Sequence, residues 1–324
     1  MALEFVDGFD SYGTTAGSAA EGIVRWDAGL NTLPTATGRY GGNAATSSSL
    51  TKVLPTAVTR TVGAAFKFGT SFSVGNIIVL RDVTTVQLAI RVNATGTLSL
   101  MRGSTAIATS TPTVFVNTWY YIELQGTVDP TSGYAEIRVN GRTWSTFSGN
   151  TRNTANSYSN SLMVSIPANG GLFDDVYSRN DSTWMGEISI GTDMPNAEGD
   201  TIQWTPNSAS IHWNRVAEIP YDSDTTYNSS STVGNIDLYK FPSRTIVASS
   251  VLAAVVCTPI ERTDGTNSSA EQCKSGGTVY TGATNSMTTA YKGYMEIHEV
   301  DPATSAAWTN ANLNLAQFGV KVIS

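Results

Sequence analysis

Charged residues, cysteines and histidines are scarce in this sequence, and its apolar runs are short. Charged residues make up 14% of the 324 residues, and 19 Lys and Arg against 26 Asp and Glu leave a net charge of −7. This acidic balance argues against a cationic surface for phosphates, so we expect no nucleic-acid partner. The longest purely apolar run, from Val251 to Cys257, is too short to cross a bilayer as a helix, and we expect no membrane insertion.

The two cysteines, Cys257 and Cys273, are separated by a polar segment. The first residues lack the basic start and apolar run of a signal peptide, so we expect no export. We therefore favour reduced thiols, although a disulfide is sterically allowed. Two distant cysteines without paired histidines cannot complete a tetrahedral site, and no metal is expected there.

Polarity in this chain comes mainly from Ser, Thr, Asn and Gly, which favour turns and strands over helices. Alternation with a period of two recurs, as in Val86 to Val92 and in Trp119 to Leu124. In the second segment Tyr120, Ile122 and Leu124 share one face, opposite Trp119, Tyr121 and Glu123. The dipeptide Asn140-Gly141 predicts a two-residue hairpin turn. These patterns predict an all-β chain.

No sustained helical periodicity occurs before residue 185, and a long polar stretch follows it. We predict two successive antiparallel β-sandwich domains, residues 1–190 and 191–324. The run Ile246 to Cys257 is apolar on both faces, which predicts a central strand of the second sandwich. Asn312 to Ala316 is predicted to form a short helical turn.

The segment from Thr61 to Trp144 resembles the concanavalin A-like, or laminin-G-like, jelly roll. The resemblance lies in a strand that begins with Trp119 and in a hairpin that ends at Val139-Asn140-Gly141. Residues 172–177, Leu-Phe-Asp-Asp-Val-Tyr, look like the strand that closes such modules. Residues 275–280 and 301–309 are similar to the C-terminal portion of virion structural proteins of tailed bacteriophages.

These resemblances imply a virion structural protein that is not an enzyme, either capsid-decorating or tail-associated. Its implied partners are other virion proteins, copies of itself and host-surface carbohydrate, after assembly in the host cytoplasm. The alternative is a carbohydrate-binding module that recognises a host-surface glycan. Candidate glycan-binding residues are Trp119, Tyr121 and Trp144, whose rings offer apolar faces to sugars. The same rings also suit cross-strand packing.

A glycoside hydrolase is the third and least favoured hypothesis. Glu299 and Asp301 can share a strand face, but Glu296 points the other way, so the acids are incomplete and predict a solvated strand end. His212 and His298 lie near no nucleophile motif, and His212 is predicted to be a partly buried packing residue. No catalytic residue and no enzymatic activity are therefore predicted.

Asp174 and Asp175 suggest a calcium site, because calcium prefers carboxylate oxygens. Neighbouring strand residues point to opposite faces, so the simpler interpretation is one capping hydrogen bond and one solvated charge. Asp7 and Asp10 have the same two interpretations. We therefore predict no cofactor.

Overall fold

The computed structural model describes residues 3–13, 25–29, 35–46, 49–167, 170–208, 211–244 and 250–324. The chain divides into two compact units, Met1–Gly191 and Thr192–Ser324. Both units consist almost entirely of antiparallel strands, which confirms the predicted all-β class with successive β-sandwiches. Among the described residues, no helix is long and apolar enough to cross a membrane.

The N-terminal unit contains fourteen of the described strands. In chain order these are β1 (Leu3–Asp7), β2 (Thr35–Thr37), β3 (Asn43–Thr46), β4 (Ser49–Ala57), β5 (Thr59–Lys67), β6 (Gly75–Asp82), β7 (Thr85–Val92), β8 (Thr97–Arg102), β9 (Thr105–Thr113), β10 (Trp119–Thr127), β11 (Gly133–Val139), β12 (Arg142–Gly149), β13 (Ser159–Ser165) and β14 (Leu172–Arg179).

These strands form an eight-stranded sheet and a six-stranded sheet. The larger has the order β12-β11-β10-β5-β14-β3-β2, with β1 also paired to β14, and the smaller has the order β4-β13-β6-β7-β8-β9. A Cβ placed on Gly126 of β10 would lie 2.6 Å from Leu88 and 3.2 Å from Leu80 of the smaller sheet. The core therefore lies between the sheets, and it is lined by the alternate apolar residues that the sequence pattern predicts.

The predicted hairpin forms between β11 and β12. Asn140 and Gly141 have φ angles of 48° and 71°, as a turn with two left-handed residues requires, and Val139 pairs with Arg142. Asn140 also fixes the neighbouring strand, because its Oδ1 accepts a hydrogen bond from the Tyr121 amide at 2.8 Å.

Within its described residues, the C-terminal unit contains ten further strands and one short helix. They are β15 (Ala197–Ile202), β16 (Thr205–Pro206), β17 (Asn228–Ser229), β18 (Ile236–Lys240), β19 (Ala254–Ile260), β20 (Ser268–Ser275), β21 (Thr278–Thr281), β22 (Asn285–Ser286), β23 (Lys292–His298), α1 (Asn310–Leu315) and β24 (Gln317–Val322), with a 3-10 turn at Trp213–Arg215.

A six-stranded sheet with the order β15-β18-β24-β20-β21, and β22 beside β20, is one layer of this unit. The β19–β23 pair packs against it, since Ile260 of β19, Tyr294 of β23 and Val320 of β24 form one buried cluster. Cys273 lies in a second cluster with Ala254 and Trp308, and no disulfide joins it to Cys257.

The prediction of a central strand from Ile246 to Cys257 is wrong in its position. The strand begins at Ala254, belongs to a two-stranded sheet, and keeps Val255 and Val256 only half-buried. Residues 246–249 lie outside the described residues. The predicted helical turn near Asn312 is confirmed as α1, which Thr309 caps by accepting the Asn312 amide.

Candidate functional site

Two of the predicted glycan-binding aromatics, Trp119 and Tyr121, lie on the outward face of the eight-stranded sheet, but Tyr121 is fully buried there. Its hydroxyl donates to the Asp175 carbonyl at 2.9 Å, and its ring stacks on Tyr177 with centroids 6.5 Å apart. The Arg39 guanidinium lies 5.4 Å from the same ring. Tyr121 therefore has no ring face open to a sugar, which corrects its assignment as a glycan contact.

Trp144 does not join Trp119 in one platform. It contacts the ring of Tyr120 edge to face with centroids 6.5 Å apart, and Tyr120 leaves β10 on the side opposite Trp119 and Tyr121. Both tryptophans are half-buried. The structure thus separates the three predicted residues, and Trp144 takes part in the packing between strands that we predicted as the alternative.

Residues 181–190, which we name the strap, cover the outward face of the eight-stranded sheet. The Thr61 hydroxyl and the Gln125 amide donate to carbonyls of the strap at 2.7 and 2.6 Å. The amide of Gly186 donates to Glu123 Oε1 at 2.9 Å, and Arg39 pairs with Glu187. The strap therefore occupies the surface on which the predicted aromatics were expected to bind a ligand.

Asp174 and Asp175 are both buried, so the interpretation of one solvated charge is wrong. Asp175 has a left-handed φ of 50° at a β-bulge, which breaks the strict alternation of side chains. Asp174 accepts the Arg39 amide and Asp175 accepts the Ile190 amide. Burial raises the pKa of both carboxyls, the charge of Asp175 adds to the rise at Asp174, and the charge of Asp10 adds to both. The described residues contain no group of three or more His, Cys, Asp or Glu placed to hold a metal ion.

Asp7 is a structural residue. Its carboxylate accepts hydrogen bonds from the Phe9 amide, the Tyr12 hydroxyl and the Trp26 indole at 2.7 Å. Asp301 likewise accepts from Ser275 at 2.6 Å and organises the turn that follows β23, so its prediction as a solvated residue is wrong.

The histidines and the remaining acids of the C-terminal unit lie at separate places. His212 is buried as predicted, and its Nδ1 lies 2.8 Å from Oδ2 of the buried Asp237. His298 and Glu296 are both half-buried, two residues apart on β23. Glu296 lies near Glu271 of β20 and not near Asp301. Its negative charge helps to raise the pKa of Glu271.

The outward face of the six-stranded sheet of the N-terminal unit carries a row of apolar residues and two arginines. Leu80 and Leu88 point to the core, so the alternate residues Val79 and Ala89 point away from it. Val79 pairs with Met163 on one side and with Ala89 on the other, and Ala89 pairs with Met101. These four residues form an apolar row across β13, β6, β7 and β8, about 14 Å long at the usual strand spacing. Val79, Ala89 and Met101 are buried, and only Met163 of the row is partly exposed.

Arg81 and Arg91 border this row, one on each side, about 7 Å along the strands from it. Ser161 pairs with Arg81 across β13 and β6. Arg81 Nε, Arg91 Nε and Ser161 Oγ are buried and have no hydrogen-bond partner among the described residues. We name this surface, with Arg81, Arg91, Ser161 and the apolar row, the arginine face.

Neither arginine of this face has a carboxylate within ion-pair distance in the described part of the chain. Arg81 contacts only Met163 Sδ and, at 3.5 Å, the Thr51 hydroxyl. Burial lowers its pKa, and no carboxylate offsets that effect. Sequence reasoning missed this face, although Arg91 is a charged residue within the alternating segment from Val86 to Val92.

No family model matches the chain, and no curated protein sequence matches it. Solved structures with a similar fold include the cellulose-induced protein Cip1, with 17% identity, a TM-score of 0.37 and coverage of 48% of this chain and 87% of that one. The alginate lyase Aly36B has 13% identity, a TM-score of 0.38 and coverage of 54% and 96%. A sialidase of Trypanosoma rangeli has 12% identity, a TM-score of 0.34 and coverage of 48% of this chain and 27% of its own.

These comparisons correct the prediction that the protein is not an enzyme. An alginate lyase and a sialidase are among the similar structures, and this finding stands against that prediction. At 12–17% identity, these similarities do not establish that this chain is an enzyme.

Proposed function

We propose that the N-terminal unit is a glycan-binding β-sandwich and that its ligand lies on the arginine face. The observation that carries this proposal is the set of three unpartnered buried polar atoms, Arg81 Nε, Arg91 Nε and Ser161 Oγ, beside an apolar row. A buried donor without an acceptor destabilises the folded chain, so a ligand towards whose acceptors these side chains turn gains binding free energy.

A sugar chain combines the two properties that this face matches. Its oxygens accept hydrogen bonds from the guanidinium and hydroxyl groups, and its C–H faces pack on Met163 and Val86, the partly exposed apolar residues of this face. Further hydroxyls lie beyond Arg91, where Ser99 bonds Thr109 at 2.9 Å and Asn93 donates to Ser99 at 2.9 Å. The opposite sheet is already covered by the strap, which favours the arginine face over the site of Trp119.

A glycan array probed with the full chain tests this function. We expect binding that falls at least tenfold in the Arg91→Ala variant and stays unchanged in Trp119→Ala, with folding of both checked by circular dichroism. The reverse pattern would place the site at the eight-stranded sheet and contradict the proposal. An array without any bound glycan would also overturn it.

A place in a bacteriophage virion, with other virion proteins and copies of this chain as partners, stays a prediction from the sequence resemblance. Glycan adhesion by the N-terminal unit is compatible with that location. Mass spectrometry of purified phage particles from the source host would test it, since a structural subunit must be present in the particle.

A further inference from the structure

We infer that the glycan bound at the arginine face is acidic, with carboxylate or sulfate groups on its sugars; this inference rests on the proposed function. A neutral sugar would satisfy unpartnered donors, but it would leave two partly buried cations without a counter-charge. An acidic sugar supplies both the acceptors and the charge.

Arg81 and Arg91 have no counter-ion among the described residues, whereas several other arginines of this unit form ion pairs. Arg60 pairs with Glu4, Arg138 with Glu136 at 2.8 Å, and Arg179 with Asp181 at 3.0 Å. Arg102 and Arg152 also have no carboxylate partner among the described residues, but each donates to a backbone carbonyl. Arg81 and Arg91 differ from them because each has a buried Nε without any partner. Guanidinium groups bind planar carboxylates through two parallel hydrogen bonds, which gives geometric selectivity as well as attraction.

The spacing of the two arginines favours an extended ligand. They lie on the adjacent strands β6 and β7, on opposite sides of the apolar row, so their Cα atoms are about 14 Å apart along the strand direction. A ligand that reaches both must cross the row and present acidic groups at two separated points. An acidic oligosaccharide has this form.

Nucleic acid and polyphosphate also carry repeated negative charge, but the face suits them less. The described part of the face has two cations, and its row consists of Val, Ala and Met rather than of aromatic rings on which bases stack. The net negative charge of the chain opposes a long polyanion as well.

Isothermal titration with the full chain tests this inference. The probes are a short oligomer of a uronic acid, a neutral hexose oligomer with the same linkage and length, and a single-stranded oligonucleotide of equal charge. The variants are Arg81→Gln, Arg91→Gln, Arg81→Lys and, as a charge-matched control, Arg142→Gln, which changes an exposed arginine of the other sheet.

We expect the uronic acid oligomer to bind at least tenfold more tightly than the neutral oligomer. Each Gln variant should lose about tenfold or more, Arg81→Lys should retain part of the affinity, and Arg142→Gln should bind as the native chain does. Added salt should weaken binding to the native chain more than binding to the Gln variants.

Equal binding of neutral and acidic oligomers would overturn this inference and leave the proposed function standing. Binding of the oligonucleotide as tight as that of the uronic acid would also overturn it, in favour of a phosphate ligand. Absence of binding to every saccharide of a broad array would instead remove the proposed function itself.

Discussion

Stability of the C-terminal unit should fall as the pH rises through neutrality, because Glu271 is buried between its two layers. Glu271 lies on β20 and has no exposed surface. Its Oε2 accepts a hydrogen bond from Asn285 at 2.7 Å, while Oε1 has no partner among the described residues. Burial raises the pKa of this carboxyl from 4.5 to about 7, with a further contribution from the charge of Glu296.

The direction and size of the effect follow from this pKa. Protonated Glu271 stabilises the folded chain fully below the unfolded value of 4.5, and this stabilisation is lost as the pH rises through about 7. A difference of 7 − 4.5 = 2.5 corresponds to about 3 kcal/mol at 1.36 kcal/mol per pH unit. His298, whose pKa is lowered by burial, acts in the opposite direction at lower pH.

Hydrogen exchange of the β20 and β23 amides, corrected for the intrinsic pH dependence, measures this stability locally. Protection in the native chain should decrease from about pH 5 to about pH 8. The Glu271→Gln variant should lose most of this dependence, because it cannot ionise. Glu296→Gln removes the charge that repels the Glu271 carboxylate, so the pKa of Glu271 should fall and the decrease should begin at lower pH.

The comparison between native chain and Glu271→Gln removes the contributions of the other titrating groups. Identical pH profiles for these two proteins would refute the assignment of the transition to Glu271. A shift of the native transition to higher pH in Glu296→Gln would refute the proposed repulsion between the two carboxylates.

Three further predictions concern the stability of the N-terminal unit, measured by urea unfolding of full-length variants. Arg60→Ala should destabilise it by about 3 to 5 kcal/mol, because Glu4 would remain as a buried unpaired acid; an effect below about 1 kcal/mol would contradict this. Gly63→Ala should cost about 1 to 3 kcal/mol, since the new Cβ would lie 2.3 Å from the Tyr177 ring, and native stability would show that the ring moves freely. Asn140→Ala should cost about 1 to 2 kcal/mol at a φ of 48°, whereas Asn140→Gly, the control for backbone strain, should cost less.

The fold class and several local elements could be predicted from the sequence because they depend on short-range patterns. Alternation identified the faces of β10 and of Leu88 to Val92 in β7, and Asn140-Gly141 identified the turn between β11 and β12. A bulge at Gln87 interrupts the alternation in β7, so Val86 packs against Val79, Ala89 and Met101 on the outward face. The run from Ile246 was misplaced, since a continuous apolar stretch does not by itself fix where a strand begins.

The candidate site could not be predicted in the same way. The burial of Tyr121 depends on the strap, which is distant in sequence from β10, and no local pattern indicates that residues 181–190 return to this sheet. The arginine face requires the register that places Met163 beside Val79, and that register is a long-range property. The burial of Asp175 was not predicted, and the reason is local. A β-bulge interrupts the strand alternation from which we expected one of the two acids to be solvated.

The most direct test of the central claim is a map of where a bound acidic oligosaccharide protects the full chain from hydrogen exchange. The account predicts protection concentrated on β6, β7, β8 and β13, around Arg81 and Arg91, with no change in the strap. Protection confined to residues 181–190 and β10, or to the C-terminal unit, would contradict it.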